Sequence, residues 1–149
     1  MPDHATRLTH ASRKARFGGP LDLAAVAAGG AVGTVLRGLS LLLVDPDAGD
    51  IPWVTVAENL VGAYLLGFVT MVLFRRAPHA TRLHLFLATG VLGSFTTFSA
   101  LVVDVVHLAH AGAGAGAVLY LVISIPGGVA AALLGLMTGR EMQARVEPC

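Results

Sequence analysis

Residues 83–107 read LHLFLATGVLGSFTTFSALVVDVVH, an apolar run in which Asp104 is the only acidic or basic residue besides histidine. A run of this length crosses the ~30 Å hydrocarbon core of a bilayer as one helix, which needs ~20 residues. Its centre, residues 90–99, holds two glycines and four hydroxyl residues, which are poor choices for an unbroken helix facing lipid. We therefore expect a transmembrane helix that is broken at mid-membrane, where the break is buried in protein or lines a cavity.

Broken membrane helices often form ion sites, because freed carbonyls bind cations and freed N–H groups bind anions. The alternative is a kinked helix whose Ser and Thr side chains bond back to their own backbone. Four hydroxyl residues stand beside Phe95 and Phe98 within ten residues. This density of polar and aromatic groups favours the functional interpretation.

Three further apolar stretches complete the chain. Lipid offers no partner for backbone polar groups, so these stretches are predicted to be helices, and the alternating ~10-residue strands of a membrane barrel are absent. The fold class is therefore an all-α membrane protein with four transmembrane helices. The predicted spans are about 21–44, 53–74, 83–107 and 112–138, within one domain at 21–139 that lies between a basic tail at 1–20 and a C-terminal tail at 140–149.

The composition excludes several other classes of protein. Hydrophobic residues make up 55% and charged residues 13% of the 149 residues. A soluble domain carries about twice that charged fraction, so a water-soluble monomer is excluded. The net charge of +1 gives no basic surface for nucleic acid. Cys149 is the only cysteine, which excludes an internal disulfide and a zinc site built on several thiolates.

Positive charge lies on one side of the predicted spans. Nine of the ten Lys and Arg residues are in the two tails and the second loop, while the first and third loops have none. With four spans, the tails and the second loop share a side of the membrane. The positive-inside rule then predicts a multi-pass protein of the cell membrane with both termini in the cytoplasm.

Small residues four apart predict close contacts between helix backbones. Plain helix packing is the expected role of most of the 18 glycines. The candidate pairs are Gly29 with Gly33, Ser124 with Gly128, and Gly135 with Gly139.

The run GSFTTFS at Gly93–Ser99 resembles the third-helix signature of the CrcB/Fluc family of fluoride channels. Weaker matches appear in the same order and spacing in the other three spans, so that the resemblance covers about residues 24–139. These matches are Gly30–Gly33 followed by Arg37, Thr55 followed by Glu58–Gly62, and Tyr120 with Ser124.

The resemblance implies a fluoride-selective passive channel, not an enzyme, which exports cytoplasmic fluoride as an antiparallel dimer with two narrow pores. It also implies a structural sodium ion at the dimer centre, held by the main-chain carbonyls of Gly93 and Thr96. Arg37 and Thr55 match vestibule or structural positions. The matching fluoride-pore residues are Asn59, Phe98, Ser99, Tyr120 and Ser124.

The chemistry of these residues agrees with that role. Fluoride holds its water tightly, so a pore must replace hydration with donors such as the Asn59 amide and the Ser and Tyr hydroxyls. A phenyl ring has a positive edge, so Phe98 presents ring hydrogens to an anion. Thr55, Asn59 and Gly62 share one helix face. A central cation would offset the repulsion that an entering anion meets.

Three positions depart from the family pattern. Leu101 stands where a second pore phenylalanine is usual, Glu58 stands beside Asn59 where an apolar residue is usual, and Pro126 is expected to kink the fourth span. Arg37 and Glu58 are predicted at similar depth, so they either pair across the first hairpin or snorkel separately to water. Asp104 is expected to be solvated.

His107 and His110 stand three residues apart at the end of the third span. A shared metal would need a third ligand that the sequence does not supply, so solvated histidines are expected. Four basic residues within ten positions of the N-terminal tail are only a weak signal for contact with anionic membrane lipid.

Two rival functions are considered. A small multidrug or cation exporter needs a buried carboxylate, for which Glu58 is the candidate, but Arg37 in the first span repels cations. A non-conducting partner subunit of a fluoride channel is favoured by Leu101. The one-sided charge opposes insertion of this chain in both orientations, so we expect a heterodimer with a paralogous subunit of reversed charge bias.

Overall fold

The computed structural model describes residues 19–42, 50–76 and 81–145. All regular structure within these ranges is helical, and four helical spans are long and apolar enough to cross a membrane. The predicted all-α fold with four transmembrane helices is therefore confirmed. The predicted N-terminal tail lies almost wholly outside the described residues, as does most of the first loop.

The first two spans are regular α-helices. Helix α1 runs over Pro20–Leu41, and α2 runs over Trp53–Arg76. At 22 residues, α1 is about 33 Å long, which matches the apolar core of a bilayer. Pro20 suits the first turn because the N–H that it lacks would be unpaired there in any case. Asp22 in the same turn pairs with Arg82 at 3.3 Å, which ties the start of α1 to the start of the third span.

The third span is irregular. It begins with α3 at Thr81–His84, continues as a π-helical segment at Leu85–Leu92 and a short α4 at Gly93–Phe95, and resumes as α5 at Phe98–His110. Between α4 and α5, Thr96 (φ −81°, ψ 148°) and Thr97 (φ −147°, ψ 122°) have extended backbone. The chain thus leaves the helical path for two residues within the GSFTTFS run.

The last span, α6, runs over Gly114–Ala144 and is about 46 Å long, well beyond the predicted end at residue 138. The turn before it contains Gly112 at φ +78°, a conformation that favours glycine. Helix α6 continues through Pro126, whose missing N–H leaves the Val122 carbonyl without its helical donor.

Consecutive spans are not the main packing partners. Helix α1 packs mainly on the π-helical segment and α4, whereas α2 packs along α6, and α1 and α2 touch only slightly. Both main contacts use glycine. A Cβ on Gly29 would overlap the Phe86 carbonyl oxygen, and a Cβ on Gly135 would overlap that of Tyr64. Gly33 meets the Val91 carbonyl in the same way, whereas Gly139 lies mainly against the Met71 side chain and Gly128 has open space beside it.

A cluster of buried apolar residues lies where α2, α5 and α6 meet, while Ala88 and Leu92 are buried in the π-helical segment. Tyr120, in the cluster, has no exposed surface. Leu101 belongs to this cluster and is only 4% exposed. The members are Val56, Leu101, Leu108, Ala117 and Tyr120.

Candidate functional site

The two extended residues of the third span are held by a side chain from α2. Asn59 Nδ2 donates to the Thr97 carbonyl oxygen at 3.1 Å, and the Thr97 N–H donates to Asn59 Oδ1 at 2.8 Å. A backbone N–H only donates and a carbonyl only accepts, so this pair of bonds fixes the orientation of the amide. Asn59 keeps its second N–H for another acceptor.

The Thr97 side chain caps the helix that follows. Its Oγ1 accepts the Ala100 N–H at 3.1 Å, the usual bond of an N-cap residue to the third position of its helix. The same oxygen lies 3.1 Å from the Ser99 hydroxyl. Helix α5 can therefore start directly after the extended pair.

These bonds change the surroundings of the two carbonyls for which the family resemblance implies a sodium ion. In an unbroken α-helix, the Thr97 N–H would donate to the Gly93 carbonyl and the Ala100 N–H to the Thr96 carbonyl. Here both N–H groups donate elsewhere. The carbonyl oxygens of Gly93 and Thr96 thus lack their α-helical donors, and hard oxygen ligands of this kind suit a monovalent cation.

The Thr96 side chain is fitted between two neighbours. Its hydroxyl donates to the Leu92 carbonyl at 3.0 Å, and its methyl group lies directly against Gly62 of α2. A Cβ at position 62 would overlap that methyl group, so glycine is needed there for α2 to approach the break. Asn59 and Gly62 therefore contact the break from the same face of α2, as their spacing predicts.

Two of the predicted pore residues lie on the outer surface of the single chain. Phe98 is 72% exposed, and Ser99 and Gly93 are exposed as well. A large aromatic side chain at the start of a helix, beside an interruption rich in hydroxyl groups, is thus available to a partner or to an ion.

Tyr120 and Thr55 form a buried polar group away from that surface. The Tyr120 hydroxyl donates to Asp104 Oδ2 at 2.9 Å, and the Thr55 side chain lies close to the same phenol oxygen. Thr55 is only 4% exposed. Asp104 is half-buried, so it remains partly accessible to solvent in addition to accepting the bond from Tyr120.

Ser124 is buried one turn after Tyr120 in α6. Its hydroxyl has no hydrogen-bond partner among the described residues. A helical serine usually bonds to the carbonyl four residues before it. The absence of that bond leaves a buried donor that an anion would satisfy.

Glu58 lies beside Asn59 and is only 4% exposed. Its Oε1 accepts a hydrogen bond from the Ser40 hydroxyl of α1. In the part of the chain that the structure describes, Glu58 forms no ion pair with Arg37, whose Nε is buried and without a hydrogen-bond partner. The bond that crosses between α1 and α2 is thus made by Ser40, one turn beyond Arg37.

The structure brings some of the predicted site residues together and separates others. Asn59 meets the break and Thr55 meets Tyr120, while Phe98 and Ser99 face outward. His107 and His110 are exposed at the end of α5, and residues 19–42, 50–76 and 81–145 hold no group of three or more metal-ligating side chains.

Sequence reasoning missed three residues that shape this region: Ser40, Thr97 and Asp104. For Thr97, a signal was present, because threonine directly before an apolar helical run is a typical N-cap. Ser40 bonds to Glu58, 18 residues away in sequence, and Asp104 bonds to Tyr120, 16 residues away. No local sequence pattern predicts such contacts.

Comparison with known proteins gives a consistent result. The family model described as CrcB-like protein, Camphor Resistance (CrcB), matches residues 24–136. A protein of Agrobacterium fabrum named fluoride-specific ion channel FluC is 40% identical over 126 residues, which cover 82% of this chain and 98% of the relative. Fluoride-specific ion channel FluC of Allorhizobium ampelinum is 38% identical over 80% of this chain and 96% of its own length.

A third relative, fluoride-specific ion channel FluC 1 of Mycobacterium bovis, is 37% identical over 83% of this chain and 94% of its own length. The residues that the family model matches, 24–136, reach into all four apolar spans and contain the break and the buried polar group around Tyr120. This chain is thus a multi-pass membrane protein and belongs to the CrcB family.

Proposed function

We propose that this protein is a fluoride-selective passive ion channel that exports cytoplasmic fluoride and so lowers its toxicity. The observation that carries the proposal is the extended Thr96–Thr97 pair, which interrupts the third span directly before the exposed Phe98. Membership of the CrcB family and the names of the relatives support it.

The donors near the break suit a small anion that is strongly hydrated. Asn59 offers its second amide N–H, Ser99 an exposed hydroxyl and Ser124 a buried hydroxyl without a partner. Phe98 offers the positive edge of its ring. Conduction needs sites from which the ion also leaves, and neutral donors of this kind bind fluoride less tightly than a buried Lys or Arg would.

A passive pathway is sufficient for export. Hydrogen fluoride enters as a neutral acid and dissociates in a near-neutral cytoplasm. The inside-negative membrane potential then drives the anion outward with about 2.3 kcal/mol per charge per 100 mV. The chain needs only a pathway that excludes chloride.

The proposal includes a structural sodium ion. The carbonyl oxygens of Gly93 and Thr96 would hold it, and their missing α-helical donors support this assignment. When bound, the ion would supply a fixed positive charge that offsets the repulsion that an entering anion meets.

The proposal also includes an antiparallel dimer in the cell membrane. The exposure of Phe98 and Gly93 supports a partner that covers this surface. The one-sided distribution of Lys and Arg supports an orientation with both termini in the cytoplasm. The partner is therefore a paralogous subunit of opposite orientation.

A second candidate is a non-conducting subunit of such a heterodimer. The observation that favours it is Leu101, which fills the core beside Val56 and Tyr120 where the family resemblance expects a pore phenylalanine. A leucine has no polar ring edge to present to fluoride.

The experiment is fluoride efflux from liposomes loaded with potassium fluoride, followed with a fluoride electrode after valinomycin is added. The chain is reconstituted alone and with a paralogue of reversed charge bias, and chloride-loaded liposomes are the control. Fluoride efflux without chloride efflux supports the channel, and no fluoride efflux in either preparation overturns it. If the pair conducts and Phe98→Ile in this chain has no effect, the non-conducting role is the correct one.

A further inference from the structure

The third span is interrupted at a place where two polar side chains replace the normal helical hydrogen bonds. We propose that Asn59 and Thr97 are positioning residues that together release the Gly93 and Thr96 carbonyls for a cation. The Asn59 side chain accepts the Thr97 N–H, which in an α-helix would donate to the Gly93 carbonyl. The Thr97 side chain accepts the Ala100 N–H, which in an α-helix would donate to the Thr96 carbonyl. The cation is that of the proposed function, so the inference rests on it.

The extended backbone of Thr97 needs hydrogen-bond partners from the protein. Extended backbone inside a membrane span exposes an N–H and a carbonyl that lipid cannot satisfy. Asn59 is the side chain that satisfies both, at 2.8 and 3.1 Å. Because an amide has a donor and an acceptor on one planar group, it can bond to both backbone groups of one residue, which an ionised Asp or an Ala cannot do.

The start of α5 depends on the Thr97 hydroxyl. Without a side-chain acceptor, the Ala100 N–H would be free to return to the Thr96 carbonyl and extend the helix backward. The Thr97 hydroxyl prevents this by accepting the N–H at 3.1 Å. The N–H groups of Thr97 and Ala100 are three residues apart, and so are the Gly93 and Thr96 carbonyls, which lose them as helical donors.

Asn59 and Thr97 are also linked to each other. Thr97 uses its N–H and its carbonyl for Asn59 and its Oγ1 for Ala100, so one residue carries three of the bonds that define the break. Neither the Asn59 nor the Thr97 side chain needs to touch the cation. They act on it in the way that outer-shell groups orient the ligands of a metal.

The test measures sodium binding without relying on transport. The full chain, purified in detergent together with the paralogue of reversed charge bias that completes the proposed dimer, is unfolded thermally across a series of NaCl concentrations at constant ionic strength, with N-methylglucamine chloride as replacement. Thr97→Val keeps the shape of the side chain and removes the acceptor, and Asn59→Ala removes the amide. Thr97→Ser keeps the hydroxyl, and Tyr64→Phe removes a different bond of α2, that to Thr138, as the control.

We expect sodium to raise the unfolding temperature of the unsubstituted chain. Thr97→Val and Asn59→Ala should raise the sodium concentration needed for half of that effect by about 10- to 100-fold, as the loss of outer-shell partners does. Thr97→Ser and Tyr64→Phe should leave it unchanged. Thr97→Val, which is nearly isosteric, carries the test if Asn59→Ala fails to fold.

Amide exchange gives an independent readout in fluoride-free buffer. The Thr97 amide should exchange faster in Asn59→Ala, and the Ala100 amide faster in Thr97→Val. If Asn59 served only as a fluoride ligand, the Thr97 amide rate in Asn59→Ala would not change without fluoride, and the inference would be overturned. It is also overturned if sodium does not stabilise the unsubstituted chain. Absence of fluoride efflux with intact sodium dependence would instead overturn the proposed function alone.

Discussion

Phe98 is the residue whose exposure bears most directly on function. At 72% exposed it contributes little to the packing of the single chain, so Phe98→Ile should leave unfolding of the isolated chain unchanged. Loss of the ring edge should reduce fluoride efflux about tenfold, which corresponds to ~1.4 kcal/mol, near the upper end of what aromatic edges contribute. Val102→Ile, a matched change on an exposed residue of the same helix, is the control. Equal efflux from Phe98→Ile and the control would remove Phe98 from the pathway.

Ser124 carries a buried hydroxyl that the described protein does not satisfy. Replacing it with alanine removes an unpaired polar group, so Ser124→Ala should be as stable as the unsubstituted chain or more so. Fluoride efflux should fall about fivefold, because one hydrogen bond to the anion is worth ~1 kcal/mol. Efflux and denaturant unfolding, measured on the same preparation, check both parts. A variant that is less stable and conducts normally would show that Ser124 is structural.

Glu58 and Ser40 make the one hydrogen bond described here between the side chains of α1 and α2. Ser40→Ala leaves a buried carboxyl without that partner and should lower the free energy of unfolding by about 1–3 kcal/mol. Glu58→Gln keeps an acceptor for Ser40 and should lower it less. The double variant should lose less than the sum of the two single variants, because the residues are in direct contact. Strict additivity in a detergent unfolding cycle would count against the bond.

The position of the break can be predicted from the sequence, whereas the hydrogen-bond partners of the residues around it cannot. Glycine and hydroxyl residues in an apolar run predict the break, and the resemblance of GSFTTFS to the family signature is visible in the sequence alone. The partner of Thr97 is Asn59, 38 residues earlier, and the partner of Tyr120 is Asp104. Such contacts depend on which helices pack together, and this is decided by tertiary interactions that local patterns do not record.

At the scale of elements, the contact between α2 and α6 is decided by glycine. A Cβ at Gly135 would overlap the Tyr64 carbonyl, which belongs to the backbone and cannot move aside without shifting α2. Gly135→Ala should therefore lower the free energy of unfolding by about 1–3 kcal/mol, as overpacking does.

Gly128→Ala on the same helix is the matched control for this change. It has open space beside it, and alanine favours the helix by up to ~1 kcal/mol, so this variant should be equally stable or more stable. The comparison is made by unfolding both variants in mixed detergent micelles. Equal stability of the two variants would show that α2 and α6 are not in tight contact.

The four spans are the elements best predicted from sequence, because length and hydropathy alone decide them. The π-helical segment at Leu85–Leu92 was not predicted, since its residues read as an ordinary apolar helix. It lies where α1 packs against the third span, and Gly90 there meets Gly29 backbone to backbone. The wider helix is thus associated with a contact between two segments, which no single segment of the sequence reveals.

At the scale of the whole molecule, the one-sided charge predicts a single orientation. Reporter fusions or cysteine labelling at both termini in cells should find them almost wholly cytoplasmic, because nine of ten Lys and Arg residues lie on that side. Co-expression with a paralogue of reversed bias should then increase fluoride export. Equal populations in both orientations, with export from this chain alone, would indicate a homodimer of dual topology.

The pairing of the spans also has a consequence for biosynthesis. Helices leave the ribosome and enter the membrane in the order of the sequence, yet α1 packs on the third span and α2 on the fourth. The small residues of α1 therefore face lipid until the π-helical segment has inserted, and those of α2 face lipid until α6 has inserted. Neither pair of packed spans can form before the third or fourth span has inserted. Translation that stopped after α2 would therefore leave α1 and α2 in the membrane without their packing partners, as substrates for membrane quality control.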